Sequence, residues 1–97
     1  MLLDLTAQFK NTDGTVLSGN TMAKLLSDLL SGQTPGIPAV KAYDWAVLLY
    51  KNGEIEIDRT DLDLLEKCVE QNQQIGNLVK AQLITSMKAA TAKADTA

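Results

Sequence analysis

The residues in this chain most able to do chemistry are a run of carboxylates and a single thiol. Glu54, Glu56, Asp58, Asp61 and Asp63 lie close together in sequence, a density of oxygen ligands that would suit a hard divalent cation. A calcium loop of the EF-hand kind needs oxygens at alternating positions, a central glycine and a closing glutamate. Here Arg59 and Thr60 intervene and no glycine follows Asp58. Asp58 stands where a helix N-cap belongs, with Asp61 in the capping-box position, and acids in a first turn complement the helix dipole. Capping and solvation therefore account for the run, and no metal site is assigned. Paired carboxylates can also cleave glycosidic bonds across a cleft, but a chain of 97 residues barely closes its own core.

Histidine is absent, which removes the commonest general base and the commonest transition-metal ligand. Every Ser-His-Asp or Cys-His arrangement goes with it. Cys68 is the one cysteine, so no internal disulfide forms. It falls between Leu64 and Val69 on an apolar stripe, where it reads as a small core hydrophobe; a reactive thiol wants exposure and positive neighbours. No catalytic residue and no cofactor is assigned, and the chain reads as a non-enzyme.

The whole chain sets further bounds. Its 97 residues make one domain, and 45 % of them are apolar, which argues against disorder throughout. The longest nearly apolar run, Ala42 to Tyr50, is broken by Asp44 and falls well short of the ~20 residues a membrane span needs. Met1-Leu2-Leu3-Asp4 lacks the basic region and apolar core of a secretion signal. The net charge of −3 is unevenly spread: positions 41–70 hold eight acids and four bases, and 71–97 three lysines and one aspartate. Neither half has the clustered Lys and Arg of a phosphate-binding surface, so no nucleic-acid partner is expected.

The elements that must position these residues follow from period and punctuation. Leu3, Leu5, Ala7 and Phe9 alternate with polar residues, as in a half-buried strand. Asn11-Thr12-Asp13-Gly14 supplies a turn, and Thr15-Val16-Leu17 returns to make an N-terminal β-hairpin that ends at Ser18-Gly19-Asn20-Thr21. Asn20 or Thr21 caps a first helix whose stripe is Met22, Leu25, Leu26, Leu29 and Leu30. Gly32 stands at its C-cap, and Pro35 and Pro38 stop it within a loop from Gln33 to Pro38.

Ala39 to Tyr50 is apolar almost all the way round, which predicts a central buried helix, with Gly53 as its cap and Glu54–Ile57 as one short strand. Trp45, Tyr43 and Tyr50 then become core or core-edge residues, with a second role open to them at an interface. A hairpin over Trp45–Ile57, turning at Asn52-Gly53, is the competing reading. Asp58 opens a third helix with Leu62, Leu65 and Val69 inward; Ile75-Gly76 ends the polar stretch that follows it. Asn77 caps a fourth helix bearing Val79, Leu83, Ile84 and Met87. The last two helices fail the helix-turn-helix test, because Gln71, Asn77 and Gln82 fall where that motif buries apolar residues.

The expected fold is mainly α (α+β): an N-terminal hairpin and one short strand packed on about four helices. Residues 1–88 form the compact domain, and 89–97, with nothing larger than alanine to bury, a flexible tail.

The order of elements resembles that of small proteins encoded in tailed phages and prophages near virion structural and assembly genes. The resemblance rests on Asn11-Thr12-Asp13-Gly14, Lys41-Ala42-Tyr43-Asp44-Trp45-Ala46, Glu54-Ile55-Glu56-Ile57-Asp58, Asp61-Leu62-Asp63-Leu64-Leu65 and Leu78-Val79-Lys80-Ala81-Gln82-Leu83. It implies a phage context, in assembly or in the virion itself, within the cytoplasm of a bacterial host, and carries over no functional residue. The expected function is a non-catalytic protein–protein interaction module in virion assembly, its partner a phage structural protein or a second copy of itself. The alternative is a small acidic regulator or inhibitor of a host protein. In either case Glu54, Glu56, Asp61 and Asp63 are the candidate partner surface.

Overall fold

The computed structural model describes residues 1–32, 34 and 36–96, with backbone alone at 18–20 and 94–96. Gln33, Pro35 and Ala97, expected in the loop and the tail, lie outside the described residues. The elements run β1 (Leu2–Asp4), β2 (Gln8–Lys10), β3 (Val16–Thr21), α1 (Met22–Leu30), α2 (Ala39–Asn52), β4 (Glu54–Glu56), α3 (Arg59–Gln71) and α4 (Asn77–Thr96). The fold is mainly helical with two small antiparallel strand pairs, as the α+β reading anticipated.

The opening strand is divided. Only Gln8–Lys10 belongs to the expected hairpin, pairing Gln8 with Thr21 and Lys10 with Val16. Its loop is held by Asp13, which accepts from the Thr15 hydroxyl (2.7 Å) and N–H (3.0 Å), while Gly14 takes φ +89°. Leu2–Asp4 instead pairs with β4, Leu3 opposite Ile55. Two bonds extend this ladder: the Ile57 N–H to the Met1 carbonyl and the Leu5 N–H to the Gly53 carbonyl, both 2.9 Å. Alternation therefore holds at Leu3, Leu5 and Phe9, all buried, but fails at Ala7, which is exposed between the strands.

Ser18–Thr21 does not end the hairpin; β3 runs straight into α1. The segment between β1 and β2 supplies two of the acceptors that α1's first turn lacks: the Met22 N–H donates to the Ala7 carbonyl and the Ala23 N–H to the Leu5 carbonyl. Thr21, the N-cap, accepts from the Lys24 N–H. At the other end Ser31 is the C-cap, in right-handed geometry, and Gly32 does not adopt the left-handed conformation expected of it. The inward side of α1 includes Ser27, whose hydroxyl donates to the Ala46 carbonyl at 2.7 Å and so satisfies its burial, while Leu25 and Leu29 are half-buried.

Residues 39–52 form a helix, and the competing hairpin does not occur; Gly53 closes it in left-handed geometry (φ +75°). Ala42, Trp45, Ala46 and Leu49 face the core. Asp58 caps α3, accepting from the Asp61 N–H at 2.7 Å. Leu62, Leu65 and Val69 are buried, and from α4 Leu83 and Met87 complete the core, with Val79 and Ile84 half-buried. Asn77 is the first residue of α4 rather than its cap, and the carbonyl of Gly76 just before it accepts from the Lys80 N–H. The 89–96 stretch, expected to be a flexible tail, is the last part of α4: Ala90 is buried and the Thr91 hydroxyl donates to the Met87 carbonyl.

Candidate partner-binding surface

The acidic residues do not form one open patch. Glu54 and Glu56 lie at successive same-face positions of β4, in register with Asp4 and Leu2. Glu54 is half-buried; Glu56 projects into solvent with its carboxylate 3.4 Å from the Met1 ammonium. Asp61 turns its carboxylate to the Lys41 ammonium, at 3.1 and 3.2 Å, and that ammonium also lies 5.8 Å above the Trp45 ring. Asp63 is exposed on α3. Two of the four expected contact residues thus already face cations of their own chain. Among the described residues no group of three or more His, Cys, Asp or Glu side chains is placed to hold a metal ion.

Cys68 is half-buried rather than buried, because α3 turns it toward a groove shared with Asp28, Leu29 and Gly32 of the α1 end. Desolvation raises its thiol pKa above the ordinary value, so at neutral pH the thiol form dominates and the nucleophilic thiolate is scarce. Native Cys68 should therefore react with a disulfide reagent more slowly than the same thiol in urea, and its rate should climb as pH rises. Equal rates in the two states would remove the desolvation.

A different surface stands out. Among the described residues, four of the seven exposed large hydrophobics lie on α2: Val40 (75 % exposed), Tyr43 (67 %), Leu48 (43 %) and Tyr50 (66 %). The apolar content that predicted a central helix is therefore divided between two faces. One face meets the core; the other carries exposed side chains, and Tyr43 and Tyr50 are not core residues. At about 100° per residue, Val40, Tyr43, Val47 and Tyr50 share one flank, spaced three, four and three. That flank borders a shallow cleft with α1, about 310 Å³, lined by Ser27, Ser31, Tyr43, Val47, Tyr50 and Lys51. The Lys24 ammonium lies 5.9 Å from the Tyr50 ring centre, within cation–π range. The spacing was readable from the sequence, but which half of an all-apolar helix faces outward was not.

Such a face offers what association needs: rigid aromatic anchors on a helix, small hydroxyls beside them and charges at the edge. Among the described residues no helix is long and apolar enough to cross a membrane. No protein-family model matches the chain, and neither a curated protein nor a solved structure matches it.

Proposed function

We propose that this chain is a non-catalytic protein–protein interaction module of a tailed phage or prophage, acting in virion assembly and docking through the outward face of α2. The observation that carries the reading is the Val40–Tyr43–Val47–Tyr50 stripe, with Val40, Tyr43 and Tyr50 exposed and Val47 half-buried, on a helix whose opposite side (Ala42, Trp45, Ala46 and Leu49) is buried in the core. Exposed aromatics clustered on a rigid element are the usual anchors of protein interfaces. The phage setting is supported by the sequence resemblance alone.

Pull-down from an induced host tests both parts. Wild-type protein should retain an identified capsid or tail protein, and Tyr43→Ser/Tyr50→Ser, at two exposed positions, should lose it while keeping the wild-type helical circular dichroism. Retention by the double variant would end the α2 assignment. Charge reversal at Glu56 and Asp63 is the companion arm. If that variant alone loses binding, and the captured protein is a host factor, the acidic-regulator alternative replaces this one.

A further inference from the structure

We infer that Asn52 is a self-modification site, an asparagine whose side-chain amide is lost to attack by the Gly53 main-chain nitrogen, and that the last turn of α2 holds this reaction closed until the turn opens.

An asparagine followed by glycine is the pairing in which that attack meets least hindrance, because glycine puts no Cβ beside the nucleophilic nitrogen. The Gly53 nitrogen forms a bond to Asn52 Cγ. The Cγ–Nδ2 bond breaks, and ammonia leaves with the proton that the Gly53 nitrogen gives up. Water then opens the cyclic imide. Opening at Cγ leaves aspartate at position 52. Opening at the main-chain carbonyl leaves isoaspartate, with the chain running on through the former side chain. Either product carries one more negative charge, and water is the only co-reactant. The Asn52 side chain is exposed, so that water reaches it.

The fold withholds both conditions for ring closure. The Gly53 nitrogen must shed its proton, but its N–H donates to the Leu49 carbonyl at 2.9 Å. It must also swing into line with the Cβ of Asn52. Asn52 is the last residue of α2, and a helical ψ of about −42° keeps the next nitrogen well out of that plane. The turn is pinned from its far side as well, since the Gly53 carbonyl accepts from the Leu5 N–H, also at 2.9 Å, where β1 runs beside β4.

Opening of this turn is therefore the gate. Hydrogen exchange of the Gly53 amide needs the same opening, so folding slows the two reactions by one factor. Conversion also blocks the way back. Aspartate sets a negative charge at the C-terminal end of α2, where the helix dipole opposes it. Isoaspartate adds one carbon to the main chain between Leu49 and Gly53, which carries the Gly53 N–H off the Leu49 carbonyl and β4 out of step with β1.

Peptide mass spectrometry with charge-variant chromatography supplies the test, on protein held at mildly alkaline pH in buffer and in guanidinium chloride. In the denaturant Asn52 should convert ahead of Asn11, Asn20, Asn72 and Asn77, all of which precede bulkier residues. In the folded protein its rate should fall at least about tenfold, by the factor that protects the Gly53 amide from hydrogen exchange. Converted protein, separated by its added charge, should melt at a lower temperature and exchange its Gly53 amide faster than the unconverted form. Equal rates of conversion in the two conditions would overturn the gate. An Asn52 that does not lead in the denaturant would overturn the site, and converted protein as well protected as the original would overturn the loss of the turn.

Discussion

Leu49→Ala is expected to lower the unfolding free energy by about 2–5 kcal/mol, whereas Leu48→Ala, one residue away, should cost about 1 kcal/mol or less. Leu49 is 1 % exposed and Leu48 43 % exposed. Truncating Leu49 therefore leaves a cavity where Ala42, Trp45 and Ala46 meet the rest of the core, while truncating Leu48 mainly removes contact with water. The helix packs closely at this point, since the Ser27 hydroxyl of α1 reaches the Ala46 carbonyl at 2.7 Å. Two helices held by such a bond cannot easily collapse into a void, which favours the upper part of the range. A domain of this size has about 5–15 kcal/mol in total, so Leu49→Ala should be visibly unfolded in modest urea. Urea midpoints for the two variants decide the matter. A larger loss for Leu48→Ala would mean that α2 is rotated and that Leu48, not Leu49, faces the core.

That pair of residues also shows what sequence could and could not tell. Helices α1 and α3 were legible because an apolar stripe, a polar opposite face and a capping residue agreed, at Thr21 and at Asp58. In α2 the stripe had no polar counterpart. Where nearly every position is apolar, periodicity gives no orientation, and burial on all sides was the natural inference. A small domain has too little mass to surround a central helix, so one half stays outside. The opening strand misled for another reason. Alternation reports which side chains point inward, not which strand they pair with. Leu3 pairs across to Ile55, a partner some fifty residues distant, and nothing local distinguishes that arrangement from a hairpin. Ser27 was missed because its acceptor is a main-chain carbonyl on another helix. The acids were conspicuous in sequence, but the cations facing them come from elsewhere: Met1 for Glu56 and Lys41 for Asp61.

Gly53→Ala should destabilise the fold by about 2–4 kcal/mol, and Thr6→Ser should recover part of that loss. Gly53 is where three pieces of the structure meet. It ends α2, its N–H donating to the Leu49 carbonyl; it leads into β4; and its own carbonyl accepts from the Leu5 N–H. Its φ of +75° is left-handed, which for alanine costs about 1–2 kcal/mol. A second cost is steric. A Cβ on Gly53 would stand 2.7 Å from the Thr6 Cγ2 methyl, well inside contact distance. That methyl cannot simply swing away, because the Thr6 hydroxyl and N–H both donate to Asp4 Oδ1, at 2.7 and 3.0 Å. The hydroxyl bond first and the N–H bond second hold the Asp4 carboxyl below its usual pKa, so the carboxylate that anchors Thr6 is ionised at neutral pH. Serine at position 6 keeps the hydroxyl and lacks the methyl. In a Thr6→Ser background the cost of Gly53→Ala should therefore fall to the backbone part, about 1–2 kcal/mol. The difference between the two backgrounds, measured as a double-mutant cycle in urea, isolates the steric contact. An identical Gly53→Ala cost in both would show that Thr6 does not press on the turn. Near-neutrality of Gly53→Ala by itself would deny the left-handed cap that brings β4 back beside β1.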